Sequence, residues 1–220
     1  MKNIILFILF LFAAGNLFSQ FSIGLKSGIN FSKVRYEDKA IQQSFGKTSV
    51  NNRVSTNEGL IFELFMGKVL AIQSEITFSP KGFTYIQPVL QGFQKFYYSQ
   101  IEIGGKVDIK IDSKTRYYLL VSPYVAYWMW GKKMQTDLKT GDVFESKFVF
   151  TGIDGGWDFE YNRLDAGLIL SAGLKRKNKK GDFVVWNFKY EFGMVPNSKQ
   201  IAVSTLNRVI SLNLAYLFEL

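Results

Sequence analysis

The sequence predicts an all-β protein, an eight-stranded antiparallel up-and-down transmembrane β-barrel. Three observations predict it. Apolar and polar residues alternate along eight segments, the chain opens with an export-type leader, and the links between segments alternate long and short. Strict alternation is the pattern of a strand whose two faces meet different surroundings.

The leader reads MKNIILFILFLFAAGNLFSQ. Lys2 is followed by an apolar run over residues 4–14 and small residues at Ala13, Ala14, Gly15 and Ser19, the layout of a secretory signal. A spanning helix needs about twenty apolar residues, and this run is shorter. Cleavage is expected after Ser19, so residues 1–19 are the signal peptide and 20–220 the barrel domain; a cut after Gly15 is the alternative.

The first strand follows, with Phe21, Ile23, Leu25, Ile29 and Phe31 against Ser22, Gly24, Lys26, Gly28 and Asn30. The second covers 59–66 and the third 72–78. The fourth, 101–111, sets Ile101, Ile103, Val107, Ile109 and Ile111 against Glu102, Gly104, Lys106, Asp108 and Lys110. The fifth is the aromatic stretch 116–131, the sixth 164–174 and the seventh 184–194. The last, NRVISLNLAYLFEL, sets Ile210, Leu212, Leu214, Tyr216, Phe218 and Leu220 against a partly polar face. The links 32–57, 81–97, 132–162 and 195–206 are long, and those around 68–70, 112–115 and 175–182 are short. Outer-membrane barrels have short periplasmic turns and longer external loops, and an even strand number puts both termini in the periplasm.

The faces then decide the solvent. One face of each segment is uniformly apolar, while the other carries charge on nearly every strand. A water-soluble sandwich or barrel shows its charged face to water. Burying the charges is sensible where hydrocarbon lies outside, and in hydrocarbon strands satisfy every backbone group only as a closed barrel. The expected lumen-facing charges are Lys26, Glu63, Glu75, Glu102, Lys106, Asp108, Lys110, Asp165, Lys189 and Glu191. Eight strands leave an interior that side chains just fill, so these charges are expected to pair into a plug. Aromatic girdles belong at the two interfaces. Tyr98, Trp128 and Trp130 are expected at the external rim, and Tyr118, Trp186, Tyr216 and Phe218 at the periplasmic one.

Composition excludes much chemistry. The chain has His 0 and Cys 0. That removes Ser-His-Asp triads, imidazole zinc sites and thiolate nucleophiles. No catalysis, no cofactor and no metal site are expected. The acids of DLKTGDVFES at 137–146 and TGIDGGWDFE at 151–160 lack the spacing of an EF-hand and read as Gly-Asp turns. The net charge of +9 suits anionic lipid or lipopolysaccharide rather than nucleic acid in an exported chain. KRKNKKGD at 175–182 reads as a solvated basic turn.

Several stretches carry a family resemblance. GLIFELFMGKVLAIQSEITFSPKGF at 59–83, SQIEIGGKVDIK at 99–110, VSPYVAYW at 121–128, RLDAGLILSAGLK at 163–175 and FKYEFGMVPNS at 188–198 resemble the PorT-like outer-membrane β-barrel proteins of Bacteroidetes. Gly104 stands where that family has proline, and Ser122 where it has glycine. The resemblance implies a Gram-negative outer-membrane barrel, and for its namesake a tie to protein secretion.

The expected function is therefore structural or interactive: adhesion, envelope integrity, or an accessory role in secretion with periplasmic or secretion-machinery partners. A narrow pore for ions or small solutes is the first alternative. A soluble periplasmic lipocalin-like binder is the second.

Overall fold

The computed structural model describes residues 20–36, 49–148, 162–196 and 205–220. The proposed signal peptide lies outside the described residues, as do Asp154, Asp158 and Glu160. The strands are β1 (Phe21–Tyr36), β2 (Ser49–Met66), β3 (Leu70–Ile86), β4 (Leu90–Lys110), β5 (Thr115–Asp137), β6 (Val143–Phe148), β7 (Leu164–Lys177), β8 (Phe183–Gly193) and β9 (Thr205–Glu219). The sheet order is β4-β3-β2-β1-β9-β8-β7-β5-β6, and the additional β4–β5 pairing closes eight of the strands into a ring. All pairs are antiparallel. The ninth, β6, lies outside the ring and pairs with the upper part of β5, from Gly131↔Phe148 to Thr136↔Val143.

Register fixes the tilt. A row of cross-strand partners leaves β4 at Ile109 and passes Tyr117, Leu174, Trp186, Leu214, Ser27, Glu58 and Phe78. It returns to β4 at Ser99, ten residues from its start. A stagger of ten over eight strands sets a tilt of about 40°, the geometry of a small closed barrel. Rows therefore climb around the wall from the end with the short turns to the end with the long hairpins.

The expected link 81–97 is mostly strand, and strands also extend into the links 32–57 and 132–162, with β1 running to Tyr36 and β2 starting at Ser49. Residues 81–97 form the top of a β3–β4 hairpin whose turn is only residues 87–89, and β5 runs on to Asp137 before turning into β6. Alternation continues through this region. Phe83, Tyr85, Phe96 and Tyr98 all point inward and are buried with Trp128 and Tyr124 in one cluster. That cluster supplies the burial that keeps the hairpin paired beyond the barrel belt. Gly82 permits the hairpin's close approach: its φ is 150° and an added Cβ would sit 2.0 Å from the Gln94 carbonyl oxygen.

The outer wall is apolar. Leu25, Ile76, Ile101, Ile103, Leu119, Val125, Leu212 and Leu214 are all exposed, while their sequence neighbours are buried. Such a wall in water would be an outsized exposed apolar surface. The short turns are tightly made. Asp112 accepts hydrogen bonds from the backbone N–H groups of Lys114 and Thr115, both at 2.7 Å. These bonds hold its carboxyl below the usual carboxylate range.

Candidate functional site

The barrel interior is the candidate site, and period-two alternation builds it. Every second residue of each ring strand points inward, so charges separated by even spacings share the lumen. Nine of the ten expected charges are buried there: Lys26, Glu63, Glu75, Glu102, Lys106, Asp108, Asp165, Lys189 and Glu191. Lys110 is not. It is exposed at the last position of β4, where the alternation has reached the mouth of the barrel.

Two lysines expected in loops, Lys81 and Lys175, lie deep in the interior. Lys81 and Lys175 are both 0% exposed. Lys81 shares parity with Gln73, Glu75, Thr77 and Ser79 on β3, and Lys175 with Asp165 on β7. That parity was the available signal; Ser79-Pro80-Lys81-Gly82 and KRKNKKGD instead read as turn chemistry.

The charges form three layers that tie strands across the lumen. At the short-turn end, Glu63 on β2 lies 2.9 Å from both Lys106 on β4 and Lys175 on β7. Lys175 also lies 2.7 Å from Asp108, and Arg116 approaches Asp108 at 3.8 Å. In the middle, Lys189 on β8 lies 2.7 Å from Glu75 and 2.5 Å from Glu102, and Lys26 on β1 pairs with Glu75. Gln73 links these layers, donating to Glu75 at 2.6 Å and accepting from Lys106 at 2.9 Å. Toward the hairpin end, Lys81 pairs with Asp165 at 2.9 Å and with Glu191. Tyr124 and Asn207 donate to Asp165 at 3.1 and 2.8 Å, and Gln100 donates to Glu191 at 3.2 Å.

Lys26, Lys81, Lys106, Lys175, Lys189 and Arg116 thus face Glu63, Glu75, Glu102, Asp108, Asp165 and Glu191, six charges of each sign. Burial is tolerable because each ion has an opposite partner, and removing one partner from such a pair costs about 3–5 kcal/mol. Aromatic faces fill the gaps. Lys106 Nζ stands 3.8 Å from the Tyr118 ring centroid, and Lys81 Nζ stands 4.7 Å from that of Tyr124. Above the last layer lies the buried aromatic cluster, with Phe96 and Trp128 edge-to-face at 4.5 Å.

The expected rim aromatics divide. Trp130, Trp186 and Phe218 are exposed on the outer wall. Trp130 stacks on Tyr97 at 5.1 Å, and Phe78 lies 5.7 Å from Trp130, making an outward patch at the hairpin end. Tyr216 is half-buried; its hydroxyl donates to Asp182 at 2.6 Å and accepts from Asn178 at 2.8 Å in the β7–β8 turn. Tyr98, Trp128 and Tyr118 instead point inward, at 0%, 1% and 3% exposure. Their depth along the strand suits a rim, but their parity matches Gln100, Ser122 and Ala126, all inward. Trp128 satisfies its indole N–H on the Trp130 carbonyl at 2.7 Å.

The acids Asp137 and Asp142 cap the β5–β6 turn. Asp137 accepts from the N–H groups of Lys139 and Thr140 at 2.8 and 3.3 Å, and Asp142 accepts from the Thr140 hydroxyl at 2.7 Å. No group of three or more acids able to hold a metal ion is found among the described residues.

Residues 14–198 match the family described as outer membrane protein beta-barrel domain. This chain belongs to that family. Membership places the apolar wall of the family barrel in outer-membrane hydrocarbon and accounts for its inverted faces. No curated protein matches the sequence. Among solved structures the barrel is similar to the attachment invasion locus protein Ail of Yersinia pestis, at 13% identity and TM-score 0.44, covering 91% of this chain and 100% of that one. It is also similar to OprG of Pseudomonas aeruginosa, at 10% identity and TM-score 0.47, covering 90% and 95%. Neisserial surface protein A is a third, at 9% identity and TM-score 0.45, covering 88% and 95%.

Proposed function

We propose that this outer-membrane barrel is closed to solutes and acts through the surfaces it presents outside the membrane, as a structural or interaction protein rather than an enzyme. One observation carries the reading: paired charges link β2 to β7, β4 to β8 and β3 to β8 straight across the lumen, and the buried aromatic cluster lies above them. A conducting path needs weak, exchangeable sites along an open bore. Here each buried ion is engaged by fixed partners. The long β3–β4 and β5–β6 hairpins then form the external contact surface, with Val143 and Phe144 exposed on β6.

The same reading makes residues 1–19 an export signal, puts both mature termini in the periplasm and takes lipopolysaccharide and other outer-membrane lipid as the immediate surroundings. The resemblance of 59–83, 121–128 and 163–175 to PorT-like proteins supports periplasmic or secretion-machinery partners. The test combines two measurements on detergent-extracted membranes. Unboiled and boiled samples should migrate differently in a gel, as folded barrels do. The same preparation in planar bilayers should show no single-channel steps. Steps that change with Lys106→Ala or Glu102→Ala would replace this reading with the narrow pore.

A further inference from the structure

The outer wall carries a furrow of about 890 Å3 between two rows of side chains. One row runs from Tyr117 through Trp186 to Ser27. The next runs from Leu119 through Ala172 to Ile29. Its floor is backbone, including Gly173 and Gly28. Because rows climb around the barrel, the furrow rises from β5 to β1 toward the external side.

Its upper end meets an acidic residue on the otherwise apolar outer face. Ser27 is the register partner of Glu58 on β2, and Ile29 that of Thr56. Glu58 is exposed on the outward face, and its side chain makes no hydrogen bond or ion pair with any described residue. It stands eight residues from Met66, where β2 meets its short turn. At the strand rise and tilt of this barrel, that is on the order of 20 Å into an apolar band about 25 Å tall. That places Glu58 near the external edge of the band, at the level where a lipid's polar linkages lie and can donate to it.

Higher on the same face, Lys33 on β1 is exposed, and its register partner on β9 is Arg208. Like charges placed directly opposite destabilise a sheet unless an anion lies between them. Arg208 donates from Nη1 to the carbonyls of Gly193 and Asn207, at 2.6 and 2.9 Å, which leaves other guanidinium donors available.

We propose that this face of β9, β1 and β2 binds one phosphorylated glycolipid of the lipid A class. Its phosphate bridges Lys33 and Arg208. The amide N–H and hydroxyl groups at the head of its acyl chains, which lie just beneath the phosphate, donate to Glu58 and Thr56. One acyl chain lies in the furrow below. A diacyl phospholipid offers the phosphate, but its ester-linked chains bring no donor to the depth of Glu58. The inference rests on the reading of the apolar wall as facing the outer membrane.

The test uses the full-length mature barrel, delipidated and refolded into phosphatidylcholine nanodiscs with either bisphosphorylated lipid A or phosphatidylglycerol. Retained lipid is counted by native mass spectrometry. The wild type should keep one lipid A per barrel through washes that remove phosphatidylglycerol. Glu58→Leu, Lys33→Gln and Ala172→Phe should each lower retention about tenfold, a 1.4 kcal/mol effect, while keeping the heat-dependent gel shift. Glu58→Leu removes a charge from the lipid face, so loss of folding does not confound it. Equal retention of the two lipids, retention unaffected by Glu58→Leu, or a cross-link from position 58 to a protein in native membranes would overturn the proposal. Absence of the gel shift in the wild type would instead overturn the barrel reading itself.

Discussion

Lys81 Nζ lies 2.9 Å from Asp165 Oδ2, and the contact crosses the barrel from β3 to β7, strands that do not pair with each other. Glu191 engages the same ammonium from β8. Lys81→Met therefore leaves two carboxylates buried without their cation. We expect a loss of about 3–5 kcal/mol of folding free energy, read from urea-dependent refolding into vesicles by gel shift. Asp165→Asn alone leaves Lys81 one partner and should cost less. In the double variant the two effects should be clearly less than additive. Additive losses would mean that the contact does not couple the two walls.

The division of the aromatics makes a separate prediction. Trp130 and Trp186 are exposed on the outer wall, while Trp128 is 1% exposed. In variants retaining one tryptophan each, brominated acyl chains should quench Trp130 and Trp186 strongly and Trp128 hardly at all. Strong quenching of Trp128 would place it on the lipid face and undo the inward parity assigned to β5.

The parts of the barrel legible in the sequence are those where alternation is uninterrupted. β1 and β9 read directly, because Lys26, Asn30, Ser211 and Asn213 never leave the inward face. Legibility fails where turn-forming residues sit inside a continuing strand. Ser79-Pro80-Lys81-Gly82 resembles a loop, yet Pro80 and Gly82 are within β3, and Gly82 is there because the hairpin backbones approach closely. Lys175 fails similarly, since the basic run after it has the composition of a turn. Tyr98 and Trp128 fail for another reason: depth along a strand and direction from it are independent, and direction follows parity only up to the next register irregularity, as between Trp128 and Trp130. A register irregularity between Tyr97 and Tyr98 pairs them with Trp130 and Trp128, and the Tyr97–Trp130 pair faces out while the Tyr98–Trp128 pair faces in. The pairing of charges across the lumen has no local signature, because it depends on the ten-residue stagger of the closed ring.

The short turn after β4 should loosen in acid. Two backbone N–H groups stabilise the ionised form of Asp112, so its folded pKa lies below the unfolded one. A lowered carboxyl pKa contributes stability that is present above the unfolded value and is lost as pH falls through the folded value. Protection of the Lys114 and Thr115 amides, their exchange relative to the intrinsic rate at each pH, should fall below about pH 4, the ordinary range for Asp, in nanodiscs. Asp112→Asn should abolish that pH dependence of protection while leaving the protection of β1 and β9 unchanged. Protection independent of pH in the unmodified turn would refute the capping role.

The packing of Tyr118 over Gly173 gives the last test. Tyr118 on β5 points inward, and its ring lies over Gly173 of the neighbouring β7, its register partner. A Cβ added at Gly173 would fall 2.4 Å from the ring carbons. The ring cannot yield freely, because Asn187 donates to its hydroxyl at 2.5 Å and Lys106 Nζ stands 3.8 Å from its centroid. Gly173→Ala must push the ring off this seat and disturb the ammonium that pairs with Glu63. Overpacking of this kind costs about 1–3 kcal/mol. Tyr118→Ala on its own should also destabilise, by removing the ring and leaving Lys106 less covered. In the Tyr118→Ala background the added methyl escapes the ring and meets only the Trp186 carbonyl oxygen, 2.6 Å from the built Cβ, so its penalty should fall. A Gly173→Ala penalty undiminished without the ring would locate the constraint at that backbone carbonyl rather than in the ring.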